Sequence, residues 1–192
     1  MLWHGLGDNS SNFANGMGAA AIAAQRGAVV AVPQAKAPSA GATAIWQFPS
    51  PLKNKPPEFD LALFDGLLTC IDQQFDIDNA RVSTMGFSAG AIWITYLLMH
   101  RSDYLASAAI FSGGISPSLF PYNKPTYKVP VIGSHGGPSD VFQGFIKFAD
   151  MMNTLSAKLI KDTHVMILCA HGQGHTVPPK IVTGAVEFVF SH

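Results

Sequence analysis

A single α/β domain built on a mostly parallel sheet is the fold class that this sequence predicts, and three observations carry it. Short apolar runs that suit buried strands recur at 1–4, 28–33, 82–87, 107–112, 129–134 and 164–170. Helix-length segments lie between them at 10–25, 58–75, 89–100, 141–160 and 177–190, the alternation of a parallel sheet covered on both faces. The chain has 192 residues, 48% of them hydrophobic and 12% charged, against roughly 25% charged in ordinary soluble domains. That fills one sizeable core and hardly two, so residues 1–192 are expected to be one domain.

The chain opens directly on a strand, Met1-Leu2-Trp3-His4, and no secretory leader is expected. Residues 16–33 are apolar-rich, but Gln25 and Arg26 interrupt them and large side chains are scarce, so they do not read as a membrane span. Localisation is left open. The segment 34–57, with Pro38, Pro49, Pro51, Pro56 and Pro57, reads as a long loop of the kind that is usually functional. The helix at 58–75 repeats Phe64, Leu67, Leu68 and Ile71 at helical spacing, broadened by Phe59, Leu61 and Leu63. Cys70 and Cys169 read as small core residues and leave the redox compartment open. Twelve basic against twelve acidic residues give no footprint for nucleic acid or a membrane surface. No repeat or linker divides the chain.

The chemistry concentrates at residues 81–90. Val82, Thr84 and Met85 suit a short buried strand, and it runs straight into Gly86-Phe87-Ser88-Ala89-Gly90. The apolar stretch 91–100 that follows is long enough for a buried helix. Strand, Gly-x-Ser-x-Gly, helix is the setting in which a serine becomes a nucleophile, held in a strained turn over the positive end of the next helix. In an open α/β sheet, ligands gather at the C-terminal ends of the strands. Those ends carry His4 to Asp8, Ser88, Ser112-Gly113-Gly114, His135 to Asp140, and His171 to His175. Four of the seven histidines therefore share one edge.

A serine hydroxyl needs a base to take its proton, and the base needs a carboxylate to hold its tautomer. The chain order Ser, then acid, then His is met by Ser88, Asp140 and His175. Asp150 falls inside a helix and Asp162 before the last strand, which favours Asp140 as the acid. His171 sits at the strand end and is expected to fix its loop, whereas His175 lies four residues out, where the loop can carry it over Ser88. The oxyanion donors are expected to be the backbone N–H groups of Ala89 and Leu6, the latter between Gly5 and Gly7. His4 and His135 read as loop braces. A zinc site from His4, His135, His171 and His175 is the competing arrangement, and it lacks the tight helical pair such sites use; no metal is expected.

Ile77-Asp78-Asn79-Ala80-Arg81-Val82 followed by Gly86-Phe-Ser-Ala-Gly90 resembles the α/β-hydrolase esterases, nearest to the poly(3-hydroxybutyrate) depolymerase-like and feruloyl esterase-like group. His171-Gly-x-Gly-His175-Thr-x-Pro178 is similar to that group's histidine loop. The resemblance implies carboxylic-ester hydrolysis by Ser88, Asp140 and His175 through an acyl-enzyme, without cofactor. It departs in three places. His4-Gly-Leu-Gly-Asp8 looks more like the carboxylesterase and acyl-protein thioesterase form of the oxyanion loop. The run from His135 to Asp140 is one residue longer than usual, and the first two strands of the full fold are absent. A thioesterase, a peptidase and a catalytically silent binding protein on the same fold are the alternatives.

Two expectations concern surroundings. With those strands missing, 28–32 becomes an apolar edge, in a strand order 4-3-5-6-7-8 by the family's count, and such an edge invites a homodimer, aggregation or cover by an upstream segment. Residues 113–128 are too short for a cap domain. The site is then an open groove for a small or polymeric ester, bordered by Leu6, Phe87, Phe120 and Phe142, with Trp46 overhanging.

Overall fold

In the computed structural model, residues 1–37, 39–47 and 59–192 are described; the expected loop prolines at 38, 49, 51, 56 and 57 lie outside them. The centre is a five-stranded, all-parallel sheet in the order β1-β2-β3-β4-β7. Its strands are β1 (Leu2–Trp3), β2 (Ser83–Phe87), β3 (Ser107–Phe111), β4 (Val131–His135) and β7 (Met166–Ala170). Among the described residues six α-helices accompany them: α1 (Ser10–Gly16), α2 (Ala19–Arg26), α3 (Phe59–Gln74), α4 (Ala89–His100), α5 (Phe148–Lys161) and α6 (Pro179–Phe190). This is the parallel sheet covered on both faces that the alternation of runs predicts.

Period-two alternation along the strands sorts side chains into two cores. Trp3, Ala108 and Ile110 face a core made with α3, α4 and α5, while Leu2, Met85, Ala109 and Phe111 face a second one made with α1, α2 and α6. Helix α4 is buried on every side from Ala89 to Met99, which explains why its sequence is apolar without a polar stripe. The one polar atom on the indole of Trp3 is satisfied by Thr84 Oγ1 at 2.8 Å.

In the fold itself the structure corrects the sequence reading in four places. The run 28–33 forms no strand. Leu2 N–H donates to Ala31 O at 2.9 Å, and Val30 and Val32 pack on the second core, but no ladder forms, so the sheet has five strands and not six. The expected dimer edge rested on that strand. The helix expected over 10–25 is two helices, because Gly16-Met17-Gly18 ends α1 and Gly18, at φ 68, restarts the chain. The helix expected from 141 begins only at Phe148. Ahead of it, β5 (Val141–Phe142) and β6 (Ile146–Lys147) pair antiparallel across Gln143, Gly144 and Phe145, the first two at positive φ, which suits the twist of a tight hairpin. Finally, Cys70 and Cys169 are exposed. Cys169 lies on β7, whose Met166 and Leu168 face the first core, whereas α6 packs over β2, β3 and β4 and leaves the other face of β7 open.

Candidate active site

The C-terminal ends of β1, β2, β3, β4 and β7 bring the candidate residues to one edge. Ser88 leaves β2 at φ 55 and ψ −120, a backbone conformation that costs an L-residue of order 1–3 kcal/mol and persists only when its surroundings enforce it. Here they do: Ser88 N–H donates to Phe111 O and Ser88 O accepts from Ile92 N–H, both at 2.9 Å. The turn also requires Gly90, where a Cβ would stand 2.1 Å from Trp3 O. The hydroxyl is thereby fixed at the N-terminus of α4, in a residue only 9% exposed.

Asp140 follows β4 through a short 3₁₀ turn (Gly137–Ser139) and is 1% exposed. Each carboxylate oxygen has its own partners. Oδ1 lies 2.6 Å from His175 Nδ1. Oδ2 accepts from Ser112 Oγ at 2.7 Å and from Gly136 N–H at 2.8 Å. Burial pushes this carboxyl up, but donation from His175, Gly136 and Ser112 outweighs it and leaves the group below the usual carboxylate range.

His175 stands on the loop after β7 and is held from three sides. Its ring stacks on Phe148 (centroids 4.5 Å apart, 17° between planes) and lies against Phe87 (4.6 Å, 34°). The loop is tied to the Asp140 turn by Gly174 N–H donating to Gly136 O at 3.1 Å. An ionised Asp140 accepts only, so Nδ1 carries the proton and Nε2 is the acceptor for Ser88 Oγ, 2.9 Å away. The result is a continuous hydrogen-bonded chain of hydroxyl, imidazole and carboxylate from three different strand ends. Such a chain can move a proton from the serine and stabilise the imidazolium that forms.

Around it, the other sequence candidates sort clearly. His4 Nδ1 is 2.8 Å from Gly5 O and its Nε2 accepts from Ala35 N–H at 3.1 Å, so the ring braces the loop after β1. His135 Nδ1 accepts from Gly137 N–H at 3.1 Å, and His171 Nδ1 from Gln173 N–H at 3.2 Å. All three brace loops, as expected. Burial holds the His171 imidazole below the usual histidine range. Asp150 lies exposed on α5, and Asp162 accepts from the Tyr122 hydroxyl at 2.7 Å, so neither joins the chain from Ser88. Among the described residues no group of three or more His, Cys, Asp or Glu is placed to hold a metal ion.

Leu6 is 37% exposed on the loop after β1, and its N–H donates to no protein acceptor among the described residues. Ala89 begins α4, where the first N–H groups have no intrahelical partner. Phe87 and Phe142 are half-buried at the same edge. Trp46 and Phe120 are not groove residues. Trp46, 2% exposed, donates to His4 O at 2.7 Å and meets the ring of Trp3 edge-on at 5.0 Å, and Phe120 is equally buried against Tyr96. An indole with a buried carbonyl to bond is drawn inward. A cavity of about 410 Å³ lies at the opposite, N-terminal end of the strands, lined by Leu2, Val29, Ile71, Phe75 and Val189, and touches none of this chemistry.

The sequence reading gave no role to Ser112, Phe148 or Gly136. Ser112 stands at a strand end next to that of Asp140, which is a usable signal; Phe148 reads as helix core, and only the fold brings it under His175.

The sequence profile of the phospholipase/carboxylesterase family matches residues 64–192. No curated protein matches the chain. Among solved structures, the esterase PE8 superposes with a TM-score of 0.75 at 22% identity, covering 99% of this chain and 90% of that one. A carboxylesterase from Mesorhizobium loti gives 0.76 at 13% identity over 98% and 86% of the two chains. A carboxylesterase from Bacillus cereus gives 0.68 at 18% over 100% and 87%. At these identities the likeness is one of fold.

Proposed function

The chain belongs to the phospholipase/carboxylesterase family of α/β-hydrolases, and on that premise we propose that it is a serine carboxylesterase acting through Ser88, His175 and Asp140. The observation that carries the reading is the pair of contacts at 2.9 Å and 2.6 Å that join serine to imidazole to carboxylate. Ser88 Oγ attacks the ester carbonyl as His175 Nε2 takes its proton. The N–H groups of Leu6 and Ala89 receive the oxyanion, each worth about 3 kcal/mol of transition-state stabilisation. His175 returns the proton to the leaving alcohol, and water then cleaves the acyl-enzyme by the same steps in reverse roles.

The substrate is a short-chain or extended ester, reached by an open groove bordered by Leu6, Phe87 and Phe142. Between β3 and β4 the chain makes a turn closed by the Ser116–Phe120 bridge and an irregular connection, so among the described residues this insertion forms no helical cap. A recess of about 240 Å³ lies between that turn and the β5–β6 hairpin, lined by Leu119, Phe145 and Ile146 among others. Each CH₂ buried stabilises a bound acyl chain by about 0.8 kcal/mol, and an open groove cannot go on collecting that gain along a long chain. Hydrolysis of p-nitrophenyl butyrate, absent in Ser88→Ala and absent on the matching anilide, is the expected outcome. Full turnover by folded Ser88→Ala would end this reading, and comparable cleavage of the anilide would make the protein a peptidase.

A further inference from the structure

Ser112 is the second non-glycine residue that this edge of the sheet holds in the left-handed region. It follows β3 at φ 51 and is fully buried. Its N–H donates to Ser134 O at 2.8 Å, which fixes the backbone between the ends of β3 and β4. Glycine occupies such a conformation freely, and Gly113 and Gly114 come next in the chain, yet the strained position itself carries a serine. The side chain gained by that strain makes a hydrogen bond: Ser112 Oγ donates to Asp140 Oδ2 at 2.7 Å.

The carboxylate is thus gripped on the side away from the imidazole. Gly136 N–H alone leaves Oδ2 with a single donor, about which the group can swing. A second donor from a different strand end removes that freedom and keeps Oδ1 aimed at His175 Nδ1. We propose that Ser112 is a positioning residue, a fourth side chain of the Ser88–His175–Asp140 array that locks the Asp140 carboxylate through Oδ2. The proposal deepens the esterase reading and rests on it for its kinetic consequence, whereas its structural consequence stands apart from any activity.

Ser112→Gly separates the two roles of the residue, because it removes the hydroxyl while relieving the backbone. The expected result is a thermal midpoint equal to or above that of the wild type, together with a kcat on p-nitrophenyl butyrate lowered about 10-fold or more at unchanged KM. Ser112→Ala is expected to show the same kcat loss with the strain retained. The low-field proton resonance of the His175–Asp140 hydrogen bond, followed by NMR, is expected to broaden or shift in both variants. Wild-type kcat and an unmoved resonance in Ser112→Gly would overturn the proposal. So would a kcat that falls only in step with lost stability. If the wild type hydrolyses no ester but the resonance is still lost in Ser112→Gly, the positioning role stands and the esterase reading is what fails.

Discussion

Replacing Asp140 by asparagine should cost turnover far more than stability, and the reason lies in which oxygen can become nitrogen. The site of Oδ2 faces two donors, Gly136 N–H at 2.8 Å and Ser112 Oγ at 2.7 Å. The backbone N–H cannot reverse, so the amide oxygen of the introduced asparagine has to take that position. Its NH₂ group then faces His175 Nδ1, where the carboxylate stood at 2.6 Å. Nδ1 is forced to accept, the ring proton moves to Nε2, and Nε2 turns from acceptor to donor toward Ser88 Oγ. A base in that tautomer cannot take the serine proton. The same exchange in a serine protease triad lowers kcat by about 10⁴, equivalent to about 5.4 kcal/mol at 1.36 kcal/mol per factor of ten. Because the hydrogen-bond count is kept, stability should fall by no more than about 1 kcal/mol. Steady-state hydrolysis of p-nitrophenyl butyrate alongside denaturant unfolding measures both quantities. Asp140→Asn retaining a tenth or more of wild-type kcat would refute the tautomer argument. Loss of activity in Asp150→Asn or Asp162→Asn instead would place the acid elsewhere.

Three further outcomes are expected. Gly136→Ala places a Cβ 1.8 Å from Gly174 O, so it should separate the Asp140 and His175 loops and abolish most activity. Gly184→Ala, on α6 with nothing within 4 Å, should leave activity intact and raise stability by about 0.5–1 kcal/mol; equal behaviour of the two in activity and melting assays would contradict this. Burial holds His164 below the usual histidine value, against its hydrogen bond to Val129 O. A depressed folded pKa means the stability it contributes is fully present above the unfolded value of about 6.5 and is lost as pH falls through the folded value. Unfolding free energy should therefore fall on the acid side of pH 6.5, and less steeply in His164→Gln; an identical slope in the two proteins would disprove it. On p-nitrophenyl esters from acetate to palmitate, kcat/KM should peak at acyl chains of about two to six carbons, without a rise above the solubility limit. An optimum at long chains would require a tunnel or lid.

The parts of this fold that were legible in the sequence are those fixed by local chemistry. Gly86-Phe-Ser-Ala-Gly90 between an apolar strand and an apolar helix leaves one solution, because a Cβ at Gly90 would stand 2.1 Å from Trp3 O and only a glycine lacks one. The order of Ser88, Asp140 and His175 along the chain placed each at a separate strand end, and the structure joins them. Illegible features depend on packing between distant segments. Trp46 looked free in a proline-rich loop until its indole found the His4 carbonyl. Residues 28–33 have the composition of a strand, yet strand character requires a partner ladder, and β1 is only two residues long. The hairpin at 141–147 is written in Gln143-Gly144, a weaker form of the usual Asn-Gly signal, and was masked by the helix that follows. Ser112 could be located at the right edge, but its bond to Asp140 is a tertiary fact.

The central claim is that Ser88 is the nucleophile, and covalent trapping tests it most directly. Incubation of the folded protein with a fluorophosphonate, followed by intact-mass measurement and peptide mapping, should show one adduct per chain, on Ser88, and none in Ser88→Ala. An adduct on another serine, or a wild-type protein that stays unmodified while it hydrolyses ester, would contradict the account.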